Sequence, residues 1–430
     1  MSNSEVNRLI EPEVEKVSSV SLFEPKHFSL ANGVHVYAIA GGRQDVIKTE
    51  VVFPAGSRYQ QMPLQSISCN KLMCEGTKKH DSVSLAEALD FYGAYLENEC
   101  NTDTAAYSLY SLSKHIEPTL SLLSEILSEP IFPEEEFDIY RQNALQSFKT
   151  RNKKVSEIAS AEFHKMLFGN KHFYGYRTVE EDYHTLNNAA VKDFFGSTYM
   201  AHKPFVVIAG KPASGWEKTL DNILGKLPVG GNVTANNAEP EATEKTKSKI
   251  HVEGALQCAI RVGKRLFSKN HPDYLPLTIV NTILGGYFGS RLMKNIREDK
   301  GYTYGIGSGL VSRQLGGFFY IASEVGADVT QNALDEVYKE LHKMCTEPVP
   351  TEELNLVKNY LMGQFLRGAD GVFSQAERFL SVHLYGLDYS YYRRYLDILE
   401  TIHPEQIMQL SAKYLSPESM SELVVGKTHV

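Results

Sequence analysis

The sequence is poor in the features that mark several large classes of protein. Positive charge is in deficit: 44 Lys and Arg against 52 Asp and Glu give a formal net charge of -8 over 430 residues. That excludes the usual basic footprint of a nucleic-acid binder. Cysteine is scarce. Cys69, Cys74, Cys100, Cys258 and Cys345 are scattered and form no C-x-x-C pair, so neither a disulfide framework nor a zinc ribbon is indicated, and they read as reduced, mostly buried thiols. No apolar run reaches the roughly 20 residues a membrane span needs; the most apolar stretch, Tyr274 to Phe288, is interrupted by Thr278, Asn281, Thr282 and a Gly pair. Residues 1 to 16 lack a basic segment followed by an apolar one and are too acidic for a transit peptide. The expected compartment is therefore reducing and aqueous, provisionally the cytoplasm, with the periplasm open if an export signal has been removed. Phosphate-binding loops of the G-x-x-x-x-G-K-[ST] and G-x-G-x-x-G types are missing, as is a G-x-S-x-G elbow, which leaves nucleotide binding and a serine nucleophile without support.

What is present is an ordinary globular composition, 42% hydrophobic and 10% aromatic, enough for a core in each of two or three domains. The main break falls at residues 229–248, rich in Gly, Asn, Thr and alternating Glu and Lys, and reads as an exposed linker between residues 1–228 and 249–430. The two sides repeat each other at an offset of about 217 residues. Pro133 with Glu134 and Glu135 corresponds to Pro350 with Glu352 and Glu353, each opening a long helical pattern with N-terminal acids. Leu167-Phe168-Gly169 corresponds to Leu384-Tyr385-Gly386, and Val206 to Lys211 after Tyr199 corresponds to Leu423 to Lys427 after Tyr414.

Period-2 and period-3.6 spacings alternate within each half. Phe28 to Leu30, a turn at Asn32-Gly33 and Val34 to Ile39 predict a hairpin. Thr49 to Pro54 and Thr104 to Ser113 read as strands, Ser66 to Cys74 and Leu85 to Tyr92 as helices. In the second half Gln257 to Gly263, Tyr302 to Leu310 and Gly317 to Glu324 read as strands, and Tyr274 to Leu284, Ser290 to Glu298 and Val329 to Cys345 as helices. The expected fold is α+β: two duplicated domains, each a mainly antiparallel sheet packed by helices.

Several strings then resemble the insulinase and pitrilysin type metallopeptidases, which include the mitochondrial processing peptidase. They are Leu30-Ala31-Asn32-Gly33, Glu75-Gly76-Thr77, Gly285-Gly286 followed by Ser290-Arg291-Leu292, and Ile296-Arg297-Glu298 followed by Gly301 and Tyr304. In that family an H-x-x-E-H helix ahead of the Gly-Thr pair ligates Zn²⁺ through two His on one face, with the Glu as general base. Counting back from Gly76-Thr77, the ligand positions here hold Ile67 and Lys71 and the base position Asn70. The third ligand position falls at Ser147 or Phe148. An Ile has no lone pair, Lys71 places a cation where the metal belongs, and Asn70 accepts no proton near neutrality. No metal is therefore expected in this chain. Cys69, Cys74, His80 and Asp81 are the only neighbours from which an unorthodox site could be assembled.

The resemblance further implies that Arg297 and Tyr304, seven residues apart, correspond to a pair that reaches across to the zinc site of a partner chain. Arg297 would hold substrate carbonyls and the Tyr304 hydroxyl would donate to the forming oxyanion, a contribution of about 2.7 to 4 kcal/mol. Locally, Arg297 also suits the last turn of a helix closed by Gly301, and Tyr302, Tyr304 and Ile306 alternate as one face of a strand. Gly285-Gly286 reads either as a helix stop needing positive φ or as a loop bordering a substrate cavity. His164 and His383 are expected to be hydrogen-bonded within helices, and the run Tyr389, Tyr391, Tyr392 and Tyr395 a packed helix start or a subunit interface.

The leading expectation is a non-catalytic subunit of a two-chain zinc metallopeptidase, with the zinc in a homologous partner chain or, less simply, a self-dimer, and with peptide substrates bound as an added strand. A catalytically dead scaffold of the same fold is the alternative, and an autonomous peptidase with unorthodox ligands the third.

Overall fold

Alternating apolar spacing becomes two sheets. The computed structural model describes residues 22–230, 237–240 and 246–427; the expectations for residues 1–16 and for much of the linker lie outside them. The first sheet contains β1 (Lys26–Ser29), β2 (His35–Ala40), β3 (Val46–Phe53), β4 (Tyr95–Cys100), β5 (Ala105–Leu112) and β6 (Phe205–Gly210), in the order β1-β2-β6-β3-β5-β4. The second contains β7 (Lys247–His251), β8 (Gln257–Leu266), β9 (Ile306–Arg313), β10 (Gly316–Gly326) and β11 (Ser421–Gly426), in the order β7-β11-β8-β10-β9. Removing β1 makes the two orders identical. In each sheet one pair is parallel, β2 with β6 and β7 with β11, and the remaining pairs are antiparallel. β7 begins inside the stretch expected as linker.

The duplication is therefore topological, but its offset is not uniform. Ala105 and Gly316 open corresponding strands 211 positions apart, as do Tyr95 and Ile306, whereas the helices Glu134–Arg151 and Thr351–Ala369 are 217 apart. The landmarks at about 217 came from the part of each half that runs from those helices to its last strand, and the second copy has a longer element ahead of it, Thr330–Thr346 against Ile116–Ser128.

The Asn-Gly signal is realised as a loop between β1 and β2. Gly33 sits at φ +79 and donates to the Leu30 carbonyl at 2.8 Å, a backbone conformation that favours glycine. The Asn32 amide donates to the carbonyls of Leu224 and Leu227, fixing the turn against the helix Trp216–Leu224. On one face of the first sheet, Leu120, Leu123 and Ile126 of Ile116–Ser128 pack with Val36, Val51 and Leu109. The second sheet repeats this, with Leu334, Val337 and Leu341 against Ile260, Val262 and Ile321.

The other face of each sheet is covered by the opposite half. The helix Val155–Phe168, from the first half of the chain, places Ala159, Phe163, Leu167 and Phe168 on Ala259 of β8, Phe318 of β10 and Leu423 and Val425 of β11. Its counterpart Val372–His383 places Phe379 and Val382 on Ile39 of β2 and Val207 and Ala209 of β6. Burying each such aromatic contributes roughly 1.5–3 kcal/mol, so the halves exchange helices and neither sheet is complete alone. Tyr389, Tyr391 and Tyr392 are buried in the same cluster, as a packed helix start. His164 and His383 depart from expectation: they are wedged among rings, His164 edge-on to Phe318 and His383 against Tyr37 and Phe379. A polar latch joins the halves at one end. Asp103 accepts from Arg58, from the Tyr174 hydroxyl at 2.9 Å and from the Gln314 backbone N–H, while Arg313 reaches Thr102. No helix among the described residues is long and apolar enough to cross a membrane.

Candidate functional site

The helix Gln65–Leu72 carries Ile67, Asn70 and Lys71, the positions at which the resemblance leads one to expect two metal ligands and the base. Ile67 and Lys71 lie one turn apart on its exposed side, Ile67 being 42% exposed, while Asn70 points inward and is fully buried. The Asn70 carbonyl accepts from Tyr107 (2.8 Å) and from the Asn98 amide (3.0 Å), and its side-chain N–H faces the Tyr199 hydroxyl at 3.4 Å. The Lys71 ammonium folds onto the side-chain and main-chain oxygens of Asn98 on β4. Ser147 lies exposed on Glu134–Arg151, which is tied to the first helix by a hydrogen bond from Ser68 to Tyr140 at 3.3 Å. Tyr140 and Ser147 are seven residues apart and so share a helix face. The groups at the four expected positions are an alkyl chain, an ammonium, a buried amide and a hydroxyl. That donor set does not fit Zn²⁺.

The unorthodox set is dispersed. Cys69 is a core residue with no exposed surface, and burial pushes its thiol up; the Cys74 thiol is pushed up to about 12 by burial, far from the thiolate a metal requires. His80 Nδ1 pairs with Glu125 at 2.9 Å. Asp81 caps the helix Ser82–Phe91 by accepting from the Ser84 N–H at 2.8 Å, so that helix starts three residues ahead of Leu85, where the apolar spacing begins. Among the described residues no group of three or more His, Cys, Asp or Glu is placed to hold a metal ion.

Arg297 and Tyr304 have a different environment. Residues Met293–Asp299 form a widened helical turn, with the Lys300 N–H bonded to the Asn295 carbonyl, and Gly301 at φ +66 ends it. Arg297 is half-buried with its guanidinium 4.6 Å from the centroid of the Phe288 ring, and among the described residues it has no hydrogen bond or ion pair. The strand expected from Tyr302 begins only at Ile306. The Thr303 hydroxyl donates to the Glu324 carbonyl at 2.7 Å and the Ser323 hydroxyl to the Gly305 carbonyl at 2.9 Å. These bonds draw residues 303–305 into a bend across β10 and turn Tyr304 outward, 93% exposed. Tyr304 borders an open depression of about 400 Å³ shared with Gln257, Arg261, Ala322 and Glu324, and every residue lining it comes from the second half.

Gly285 and Gly286 need no positive φ, which corrects the helix-stop reading. They belong to the turn Thr282–Gly286, laid against β9: a Cβ on Gly285 would meet the Ser308 Oγ at 2.6 Å, and one on Gly286 the Asn281 amide at 3.0 Å. Close approach, not handedness, requires them. Two residues of this region escaped the sequence reading. Phe288, 65% exposed, is an aromatic side chain between glycines. Arg261 is a charge set inside the apolar run Ala259-Ile260-Arg261-Val262, and either anomaly could have drawn attention to it.

Fold and site together define a duplicated α+β protein built on the plan of a metallopeptidase but without its metal ligands. The sequence matches the insulinase (peptidase family M16) description over residues 39–176 and the peptidase M16 inactive domain over residues 185–361, and the chain belongs to the M16 family. It is 22% identical over 357 residues to the uncharacterized zinc protease YmxG of Bacillus subtilis (strain 168), covering 82% of this chain and 86% of that one. A crystal structure of a peptidase M16 inactive domain from Pseudomonas fluorescens matches with a TM-score of 0.86 at 24% identity, over 94% of this chain and 99% of that one. The periplasmic protease PqqL from Escherichia coli matches with a TM-score of 0.77 at 16% identity, over 99% of this chain but 49% of PqqL.

Proposed function

We propose that this chain is the non-catalytic subunit of a two-chain zinc peptidase, and that Arg297 and Tyr304 act in the active site of a homologous, zinc-bearing partner. The observation that carries this reading is the asymmetry between the two groups of residues. All four positions of the metal set hold groups that bind no zinc, while Arg297 lies over the Phe288 ring with no hydrogen bond or ion pair among the described residues and Tyr304 stands exposed at the rim of an open depression lined by the second half alone. A tyrosine 93% exposed buries too little for packing to explain its place there. In the proposed assembly Arg297 holds a peptide carbonyl with its planar fork, Phe288 keeps the guanidinium oriented by stacking, and Tyr304 donates to the oxygen that gains charge at the scissile carbonyl. The outer strands β4 and β9 leave their far edges open, and a substrate peptide would add there as a strand, which secures backbone hydrogen bonds without demanding sequence.

The experiment is to titrate the chain into a zinc-bearing homologous chain and follow hydrolysis of an unstructured peptide. The rate should rise to a plateau at one-to-one stoichiometry. Tyr304→Phe should bind the partner as well as the parent does and lower kcat by roughly 10²- to 10³-fold. A rate indifferent to added chain removes the proposal. Full assembly with an unchanged rate for Tyr304→Phe would leave a scaffold.

A further inference from the structure

Arg261 is a buried cation without a carboxylate. It is 9% exposed, lies in the middle of β8, and faces the helix Val155–Phe168. Its guanidinium donates to the Ile260 carbonyl at 2.9 Å, to the Ser156 carbonyl at 3.1 Å and to the Ser160 hydroxyl at 3.5 Å. A guanidinium has five N–H donors, so two remain without a protein partner among the described residues. No acid comes within ion-pair distance. Glu324 and Glu157 act on Arg261 only at longer range, against a burial that disfavours its charge. Such a charge is costly unless something completes its hydrogen bonding. The same residue lines the depression of about 400 Å³ that Tyr304 borders.

We propose that Arg261 forms a carboxylate-binding subsite in this depression and that it anchors an anionic group of the bound peptide below Tyr304. The inference rests on the peptide-binding role proposed above and adds to it the chemical class that the second half reads. A carboxylate fits better than a phosphate because Glu324, exposed on the rim of the same depression, repels a dianion more than a monoanion. In a peptide the carboxylate is either an Asp or Glu side chain or the C-terminus. Against a chain of net charge -8, whose general field favours basic or neutral peptides, the site is a local exception that fixes register.

The test uses fluorescein-labelled, unstructured octapeptides and anisotropy with the full chain. One peptide has a free C-terminus, a second is the same sequence amidated, and a third is amidated with an internal Glu. At least one carboxylate peptide should bind about tenfold or more tightly than the neutral one, and which one does identifies the source. Arg261→Gln should reduce that preference to within about threefold. Because Arg261→Gln also removes bonds to Ser156 and Ser160, Ala322→Leu, which fills the depression and leaves Arg261 in place, should do the same with an unchanged Tm. Equal binding of all three peptides by the parent overturns the carboxylate subsite and leaves peptide binding standing, as does a preference retained in both variants. Failure of the parent to bind any of them overturns both.

Discussion

The exchange of helices makes a prediction that runs against chain order. Phe163 belongs by sequence to the first half, yet it is 2% exposed among Ala259, Phe318, Leu423 and Val425 of the second sheet. Phe163→Ala deletes a ring from that contact and leaves a cavity the helix cannot close without moving off the sheet. The expected cost is about 3–5 kcal/mol. At about 1.4 kcal/mol per tenfold, the opening equilibrium of the affected region shifts by roughly 10² to 4 × 10³. Native-state hydrogen exchange read strand by strand measures this directly. Amides of β8 and β11 should lose protection by that factor, while those of β3 and β5, from Phe163's own half, should stay near parent values. Phe379→Ala should give the mirror image, with β2 and β6 exposed. Loss confined to β3 and β5 in Phe163→Ala would refute the exchange and return each helix to its own half.

Two further expectations follow from single environments. Burial, with Arg313 and Arg261 nearby, depresses the His164 imidazole to about 4. The unfolded chain takes up that proton near pH 6.5 while the folded one resists it down to about 4, so stability falls as pH drops through this window, by roughly 3 kcal/mol at most. His164→Phe, edge-on to Phe318, should remove that share of the acid sensitivity in urea denaturation between pH 4 and 7, and an unchanged slope would show that His164 does not titrate there. Separately, Ile67→His with Lys71→His should create a two-imidazole zinc clamp on the exposed side of Gln65–Leu72. At a hundredfold excess over Kd, Zn²⁺ should then stabilise the double variant by about 2.7 kcal/mol, seen as a rise in Tm that Lys71→His alone does not show. No rise would mean the two positions are not the ligand positions.

How far the sequence could be read depended on whether a residue's signal was local. Gly33 after Asn32 announces its turn because the left-handed backbone at Gly33 is signalled by the adjacent Asn-Gly pair itself. The apolar stripe Ala159, Phe163, Leu167 announces a buried face, but periodicity carries no information about which sheet receives it, and the sheet proved to be that of the other half. Tyr302, Tyr304 and Ile306 have a strand's alternation, which was overruled by hydrogen bonds from Thr303 and Ser323 to main-chain carbonyls nearby in space. Those bonds convert the start of a predicted strand into the bend that exposes Tyr304. The glycines at 285 and 286 were legible as necessary, though the reason, the closeness of Ser308 and Asn281, is a tertiary fact. The metal positions came from the resemblance to the insulinase family, counted back from Gly76-Thr77; the structure turns Ile67 and Lys71 outward on one helix and puts Ser147 on the helix joined to it through Ser68 and Tyr140.

The arrangement of those groups also bears on the two-chain function proposed above. A transition-state donor has an effect only where a carbonyl is being attacked, and nothing at Ile67, Asn70, Lys71 or Ser147 activates a water. The duplicated fold supplies two sheets with four outer strands, β1, β4, β7 and β9, while a match over 99% of this chain covers 49% of PqqL. If the other half of such an assembly is a separate chain, loss of the metal ligands here removes one of two equivalent sites and frees the helix Gln65–Leu72 from metal chemistry. Lys71 can then bond to Asn98 beside the open edge of β4, a contact that a zinc ligand at that position could not make. The substituted residues thus suit the positions in which they stand, and on the function proposed above Arg297 and Tyr304 act only when a second chain faces them.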